Sequence, residues 1–214
     1  MKTHSIRWML IHPNLSKQLQ WYDLGKIVVP LTSKGDGCPN DGKSTCIKEW
    51  QKTTLEQTKK YLENSKFKNH NWGILTGEVN GIEIVDLDVA KENQLSGVEY
   101  FSNFIRKNGI DCKHIVMTWS SGYHLYFKWD RQKHLSTFAG LEINGKKCGI
   151  DVRSDKGQFV LPGSLHYKSG KKYEWILDET EKEPQIDHLE KMDSKLFDHL
   201  YGLKFPNTST WNIE

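Results

Sequence analysis

The segment Gly81-Ile-Glu-Ile-Val-Asp-Leu-Asp-Val89 constrains the fold of this 214-residue chain more than any other. Val85, Leu87 and Val89 alternate with Ile84, Asp86 and Asp88, which is the period of a β-strand. Asp86 and Asp88 then share one face, about 6.6 Å apart along the strand. Two carboxylates held on a rigid strand repel each other and resist burial unless a cation neutralises them. Hard oxygen ligands at that spacing suit a pair of Mg²⁺ or Mn²⁺ ions about 3.5–4 Å apart. Taken alone, the same pattern is also a strand end whose aspartates face water.

Further strand-like runs occupy Lys26 to Leu31, Trp72 to Leu75, His114 to Thr118, Tyr123 to Trp129, Gly149 to Arg153, Gln158 to Leu161 and Tyr173 to Ile176. Helices are predicted between them. Thr53 with Glu56, and Thr54 with Gln57, satisfy the capping-box spacing for a helix running to Phe67, with Leu55, Tyr61 and Leu62 inward. Ser96 with Glu99 starts a second, which turns Val98, Phe101, Phe104 and Ile105 inward and stops near Gly109. Leu189, Met192, Leu196 and Leu200 recur at helical spacing over 186–201. Strands and helices in this order predict an α+β sheet domain.

Composition narrows the class. Hydrophobic residues make up 36% and charged residues 27%, as in a globular protein. No apolar run is long enough for a membrane span, and the N-terminus is broken by Arg7, His12 and Pro13, unlike a signal peptide. The expectation is a soluble intracellular protein. A net charge of +3 permits a phosphate-rich partner without demanding one. Lysines cluster at Lys146-Lys147, Lys168 and Lys171-Lys172, where each cluster by itself reads as solvated surface. Cys38, Cys46, Cys112 and Cys148 form no C-x-x-C pair, so they read as free thiols. The stretch from Ser33 to Ser44 is a loop of turn formers, mobile or poised over a ligand. Gly37 to Ser44 matches the P-loop spacing literally, but it contains Pro39 and leads into no apolar helix.

Two other segments carry chemistry. In Cys148-Gly-Ile-Asp-Val-Arg153, Asp151 and Arg153 share a face; a third carboxylate can complete a two-metal site, and a guanidinium can hold a phosphate. The alternative is a structural ion pair. In Thr118-Trp-Ser-Ser-Gly-Tyr-His-Leu-Tyr-Phe127, the turn Ser120-Ser121-Gly122 enters a strand on which His124, Tyr126 and Lys128 share a face. Turn N–H groups and a histidine can donate to a triphosphate; a packed core histidine is the alternative.

D-x-D on a strand, then small-x-His on a strand, then apolar-Asp: this order closely resembles the three motifs of the archaeo-eukaryotic primase superfamily. The likeness is to its primase-polymerase branch from viruses, phages and plasmids. Asn71-Trp-Gly-Ile-Leu-Thr-Gly77 resembles the family's strand and glycine turn before the first motif. Gly157-Gln-Phe-Val-Leu-Pro-Gly-Ser164 with His166 and Tyr173-Glu-Trp175 resembles the segment after the third. Pro30 to Trp50 is similar to the region that opens the domain, so the likeness spans roughly residues 20–176.

The resemblance implies a primase-polymerase catalytic core over 1–205, with an RRM-like antiparallel or mixed sheet flanked by helices, and a tail over 206–214. It implies a template-directed nucleotidyltransferase acting in DNA replication, with DNA template and primer and nucleoside triphosphates as substrates. By the same resemblance Asp86, Asp88 and Asp151 are catalytic and bind two divalent ions, Mg²⁺ or Mn²⁺. His124 contacts the nucleotide's phosphates and Arg153 is a second phosphate contact. Ser120, Ser121 and Gly122 line the phosphate turn, and Ser164 and His166 line the nucleotide pocket. The family often has Ser where this chain has Gly122, so a hydroxyl must come from Ser120 or Ser121, or a backbone N–H serves instead. A helicase domain or partner is expected, with the chain as the N-terminal part of a larger replication protein. Two rivals remain: a rolling-circle replication endonuclease, which needs a His-x-His pair that His124-Leu-Tyr126 does not provide, and a non-catalytic single-strand binding module with aromatic platforms.

Overall fold

The structure, a computed structural model, describes residues 13–33, 42–177 and 186–206. In chain order the elements are α1 (Pro13–Asp23), β1 (Val28–Pro30), α2 (Leu55–Glu63), β2 (Trp72–Leu75), β3 (Ile82–Leu87), α3 (Gly97–Asn108) and β4 (Ile115–Met117). There follow β5 (Tyr123–Lys128), β6 (Glu142–Ile143), β7 (Lys146–Lys147), β8 (Ile150–Arg153), β9 (Gln158–Val160), β10 (Glu174–Ile176) and α4 (Ser194–Lys204). Every pair of these strands is antiparallel, so the α+β expectation holds with antiparallel rather than mixed sheets. Among the described residues no helix is long and apolar enough to cross a membrane. Most of the Ser33–Ser44 loop, and the tail beyond residue 206, lie outside the described residues.

The chain divides into two compact units, Met1–Leu75 with Gln158–Tyr173, and Thr76–Gly157 with Glu174–Glu214. The first unit holds the three-stranded sheet β1-β2-β9. Thr58 ties α2 to its edge: the buried hydroxyl donates to the Val28 carbonyl at 2.9 Å and accepts the Val28 N–H at 3.3 Å. The α2 capping box forms at Thr54 and Gln57, as the spacing predicts. The helix nevertheless ends at Glu63, before a 3₁₀ turn at Ser65–Phe67, and Leu55 lies exposed at its first position rather than inward. Thr58 and Leu62 are the residues it buries.

The second unit holds the five-stranded sheet β10-β4-β5-β3-β8. Read from β8, the order β8-β3-β5-β4 with α3 crossing from β3 to β4 is the arrangement of an RRM-like split βαβ sheet. Where a second crossover helix would join β5 to β8, this chain has a long connection carrying the β6–β7 hairpin. The C-terminal α4 supplies the missing cover. Its Leu196, Phe197 and Leu200 join Phe101 of α3 against Val85, Leu87, Leu125, Phe127, Ile150 and Val152 on one face of the sheet. Each of these buried side chains contributes about 1.5–3 kcal/mol. The two helices also meet through His199, whose ring stacks on Phe104 at 3.8 Å and lies 3.0 Å from the Tyr100 hydroxyl. Helix α3 begins at Ser96 and ends at Gly109 as expected. The pattern over 186–201 instead divides into a 3₁₀ turn at Ile186–His188 and α4, because Asp193 caps a new helix by accepting the Lys195 and Leu196 N–H groups.

One acid lies on the apolar face of β3. Glu83 is 1% exposed, and its Oε2 accepts the Leu135 N–H at 2.9 Å. Burial raises its carboxyl from 4.5 to about 7, against the opposing pull of that hydrogen bond, the nearby Ser154 hydroxyl and the charge of His134. The folded state therefore keeps a proton that the unfolded chain has already lost between those two values. Stability contributed by the protonated form is present at low pH and declines as pH rises through this window, by up to about 3 kcal/mol. Glu83→Gln removes the ionisation, so the variant should gain on the parent by about that amount between pH 5 and 8 in denaturant melts. A stability difference that stays constant with pH would show that Glu83 holds no proton in the fold.

Candidate active site

The face of the five-stranded sheet opposite this core carries the acids. Cross-strand register puts Asp86 of β3 directly opposite Asp151 of β8 on one side and His124 of β5 on the other. Residues so paired project from the same face, with Cβ atoms about 4.5–5.5 Å apart. The row Asp151–Asp86–His124 thus joins the second and third motifs to the first across adjacent strands. Asp88 lies just beyond β3, where its N–H donates to the Gly149 carbonyl at 2.8 Å and so prolongs the pairing with the chain entering β8.

The acids are accessible and the histidine is not. Side chains of Asp86, Asp151 and Asp88 are 25%, 30% and 38% exposed, against 3% for His124. Each has a basic neighbour. His124 Nε2 lies 3.6 Å from Asp86 Oδ1, Arg153 Nη2 3.3 Å from Asp151 Oδ2, and Lys91 Nζ 2.5 Å from Asp88 Oδ2. The Gly140 N–H donates to Asp151 Oδ1 at 2.8 Å, and Arg153 also donates to the Phe138 carbonyl at 3.0 Å. Tyr126, on the same face as His124, has its phenol pushed far above the ordinary value, first by burial and then by the charge of Asp86.

The turn before β5 is built on Thr118. Its N–H donates to the Gly122 carbonyl at 2.9 Å, and its hydroxyl accepts the Gly122 N–H at 3.0 Å and lies 3.2 Å from the Ser120 hydroxyl. Ser121 takes the left-handed conformation at the exposed corner, φ 65°. Gly122 is required for space: a Cβ there would lie 2.3 Å from the Leu87 carbonyl oxygen, a backbone atom that cannot swing away. A serine at 122 has no room; the hydroxyls that meet within the turn are those of Thr118 and Ser120.

Ser164 and His166 belong to the first unit. The Ser164 hydroxyl bridges the Trp72 backbone, 3.4 Å from both its N and its O, and His166 Nδ1 lies 2.9 Å from the Ser169 hydroxyl. These contacts give both residues local structural roles.

The carboxylates of Asp86 and Asp151 on this sheet face, with Asp88 just beyond β3, fit a hard divalent cation by donor chemistry. Among the described residues, however, no three Asp, Glu, His or Cys side chains converge as they stand into a group able to hold a metal ion. In the structure Asp88 contacts Lys91, and Asp151 contacts Arg153 and the Gly140 N–H. Holding an ion requires these carboxylates to exchange their basic partners for it. The sequence reading missed Lys91, although its spacing from Asp88 was open to view, and Gly140 and Thr118, whose roles depend on backbone groups.

The mixed architecture with antiparallel sheets is that of a primase-polymerase α+β core. The chain belongs to the Prim-Pol family, bifunctional DNA primase/polymerase, N-terminal, whose family model matches residues 19–189. That membership gives it a DNA primase/polymerase-type function in general terms. No curated protein matches the chain.

The steric demand at Gly122 is testable. Gly122→Ala should lower the unfolding free energy by about 1–3 kcal/mol, since the added Cβ must push the turn away from β3. An unchanged denaturation midpoint would contradict the close approach.

Proposed function

We propose that this domain catalyses template-directed nucleotidyl transfer, with Asp86, Asp88 and Asp151 as the acids that hold two divalent ions, Mg²⁺ or Mn²⁺. The observation that carries the reading is the row Asp151–Asp86–His124 on adjacent strands, inside the matched Prim-Pol region. Two aspartates directly opposed on a sheet destabilise it through like-charge repulsion. An arrangement that costs stability and is also open to solvent has the character of a functional site.

In the reaction a primer 3′-hydroxyl gives up its proton to solvent and attacks the α-phosphorus of a nucleoside triphosphate, an oxygen–phosphorus bond forms, and pyrophosphate leaves with the electrons of the broken bond. When bound, the divalent ions supply positive charge for the attacking oxygen and the leaving pyrophosphate. The chain's own residues bind and orient. His124, buried beside Asp86, donates from its ring to a phosphate oxygen. Arg153 offers a guanidinium already fixed by the Phe138 carbonyl, so little side-chain freedom is lost when it turns to a phosphate. Lys91 and Arg153 keep Asp88 and Asp151 paired before substrate arrives. The Thr118–Gly122 turn presents hydroxyls and backbone N–H groups.

The experiment is extension of a labelled primer on a template with Mn²⁺ and nucleotides. Asp86→Ala and Asp88→Ala should abolish extension while circular dichroism stays that of the parent. His124→Ala should raise KM for the nucleotide before it lowers kcat. Near-parental extension by either aspartate variant would sink the assignment. Nicking of the template would indicate an endonuclease, and shift without extension a binding module.

A further inference from the structure

The ion pairs that occupy Asp151 and Asp88 are built differently. Besides Asp151, the Arg153 guanidinium donates to the Phe138 carbonyl at 3.0 Å and to the Val152 carbonyl at 3.3 Å. Arg153 therefore keeps its place whether or not Asp151 stays beside it. The Lys91 side chain is 53% exposed, and among the described residues its ammonium has one contact, Asp88 Oδ2 at 2.5 Å. Once Asp88 turns to another partner, that contact is gone.

The backbone beneath Lys91 is fixed. Residues 88–98 form a loop whose two ends meet, because the Asp88 carbonyl accepts the N–H groups of Gly97 at 2.9 Å and Val98 at 3.2 Å. Inside it the Lys91 N–H donates to the Gln94 carbonyl at 3.4 Å and the Gln94 N–H to the Lys91 carbonyl at 3.0 Å, with Asn93 in the left-handed conformation, φ 60°. The Leu95 N–H donates to the Lys147 carbonyl of β7 at 2.8 Å, and its carbonyl accepts the Gly149 N–H at 3.0 Å. The Lys91 side chain is thus a flexible four-carbon stem on an anchored base. An ammonium displaced from Asp88 stays near whatever replaces it there.

Magnitudes decide what the displacement does. An ion pair this exposed shifts an equilibrium by a factor of about five at most, so a divalent ion can take Asp88 from Lys91. Arriving alone, the ion leaves the ammonium unpaired beside a dication. Arriving with a triphosphate, it brings phosphate oxygens, and a charge-assisted hydrogen bond to one of them is worth about tenfold or more. The second exchange more than offsets the first.

We propose that Lys91 couples cation and nucleotide binding: on Asp88 it opposes a divalent ion that comes alone, and released from Asp88 it holds the triphosphate that comes with the ion. The proposal rests on the polymerase reading for the identity of the two ligands. Coupling of this kind is reciprocal, so each ligand strengthens the other by the same factor.

The test compares wild-type protein with K91M and with K146M, which removes an exposed lysine from β7 of the same unit. Binding of Mn²⁺ alone is read from the paramagnetic resonance of the free ion, and binding of dATP in saturating Mn²⁺ from titration calorimetry. No primer is present, so nothing is extended. K91M should bind Mn²⁺ alone about three- to fivefold more tightly and dATP about tenfold more weakly. K146M should move neither by more than about twofold. The opposite signs separate this role from a structural one, since a damaged loop weakens both ligands. Parental Mn²⁺ affinity in K91M, weaker binding of both ligands, or equal shifts in K146M overturns the coupling. Primer extension lost in Asp86→Ala with K91M at parental affinities would retain the polymerase reading and discard the coupling. Opposite shifts in K91M with normal extension by Asp86→Ala would do the reverse.

Discussion

The antiparallel pairing of β3 with β5 on one side and β8 on the other is the constraint on which the site depends. Asp86 meets His124 and Asp151 only in this register. A slip of one residue in either pairing would carry the partner to the opposite face, into the core made by Val85, Leu125, Phe127 and Val152. The register is therefore held by hydrophobic burial on the far side of the sheet, where α3 and α4 pack. The sheet's apolar face fixes what its polar face presents, and neither could be altered alone.

Beyond the end of β3 the backbone takes over from side chains. The Asp88 carbonyl accepts the N–H groups of Gly97 at 2.9 Å and Val98 at 3.2 Å, so the acidic strand end runs directly into the first turn of α3. This closeness is possible because glycine stands at the crowded points. A Cβ on Gly97 would lie 1.8 Å from the Gly149 carbonyl oxygen, and one on Gly149 would lie 2.8 Å from the Asp88 Cβ. With Gly122 against Leu87, three glycines surround the strand end that bears the second acid. They let the backbone at the starts of α3, β5 and β8 approach closely around this strand end.

Much of this could be read from residue order, and the remainder could not for identifiable reasons. Alternation marked β3, β5 and β8 and the common face of Asp86 and Asp88, because each strand has a buried and an open side. Ser96 and Gly109 bounded α3 because capping is local chemistry. Helix α1 was not foreseen, nor was the β6–β7 hairpin; two-residue strands are too short to show a period, although Asn144-Gly145, both at positive φ, is the turn such a hairpin uses. Leu55 was expected inward from its apolar character, but at the first position of a short helix it lies exposed while Leu62 is buried. Register is a long-range property, so the pairing of Asp86 with Asp151 came only with the fold. So did the neighbours that occupy the acids, since Gly140 acts through an N–H that any residue possesses.

Strand β3 carries two acids and is followed at once by a third, and the sheet treats its two faces in opposite ways. Glu83 faces the core, where burial favours the neutral form and a single N–H and a nearby hydroxyl receive it. Asp86 and Asp88 face the other way, where solvent and basic neighbours receive charge. An acid can be tolerated on the core face only by holding a proton, and a protonated carboxyl is a poor ligand for a cation. Acids on the open face escape that requirement at the cost of mutual repulsion across the Asp86–Asp151 pair. The chain also segregates charge on a larger scale: the unit that holds these aspartates carries a net charge of −6 and the other a net charge of +9, so the acids on the open face rely on the few basic side chains beside them, His124, Arg153 and Lys91.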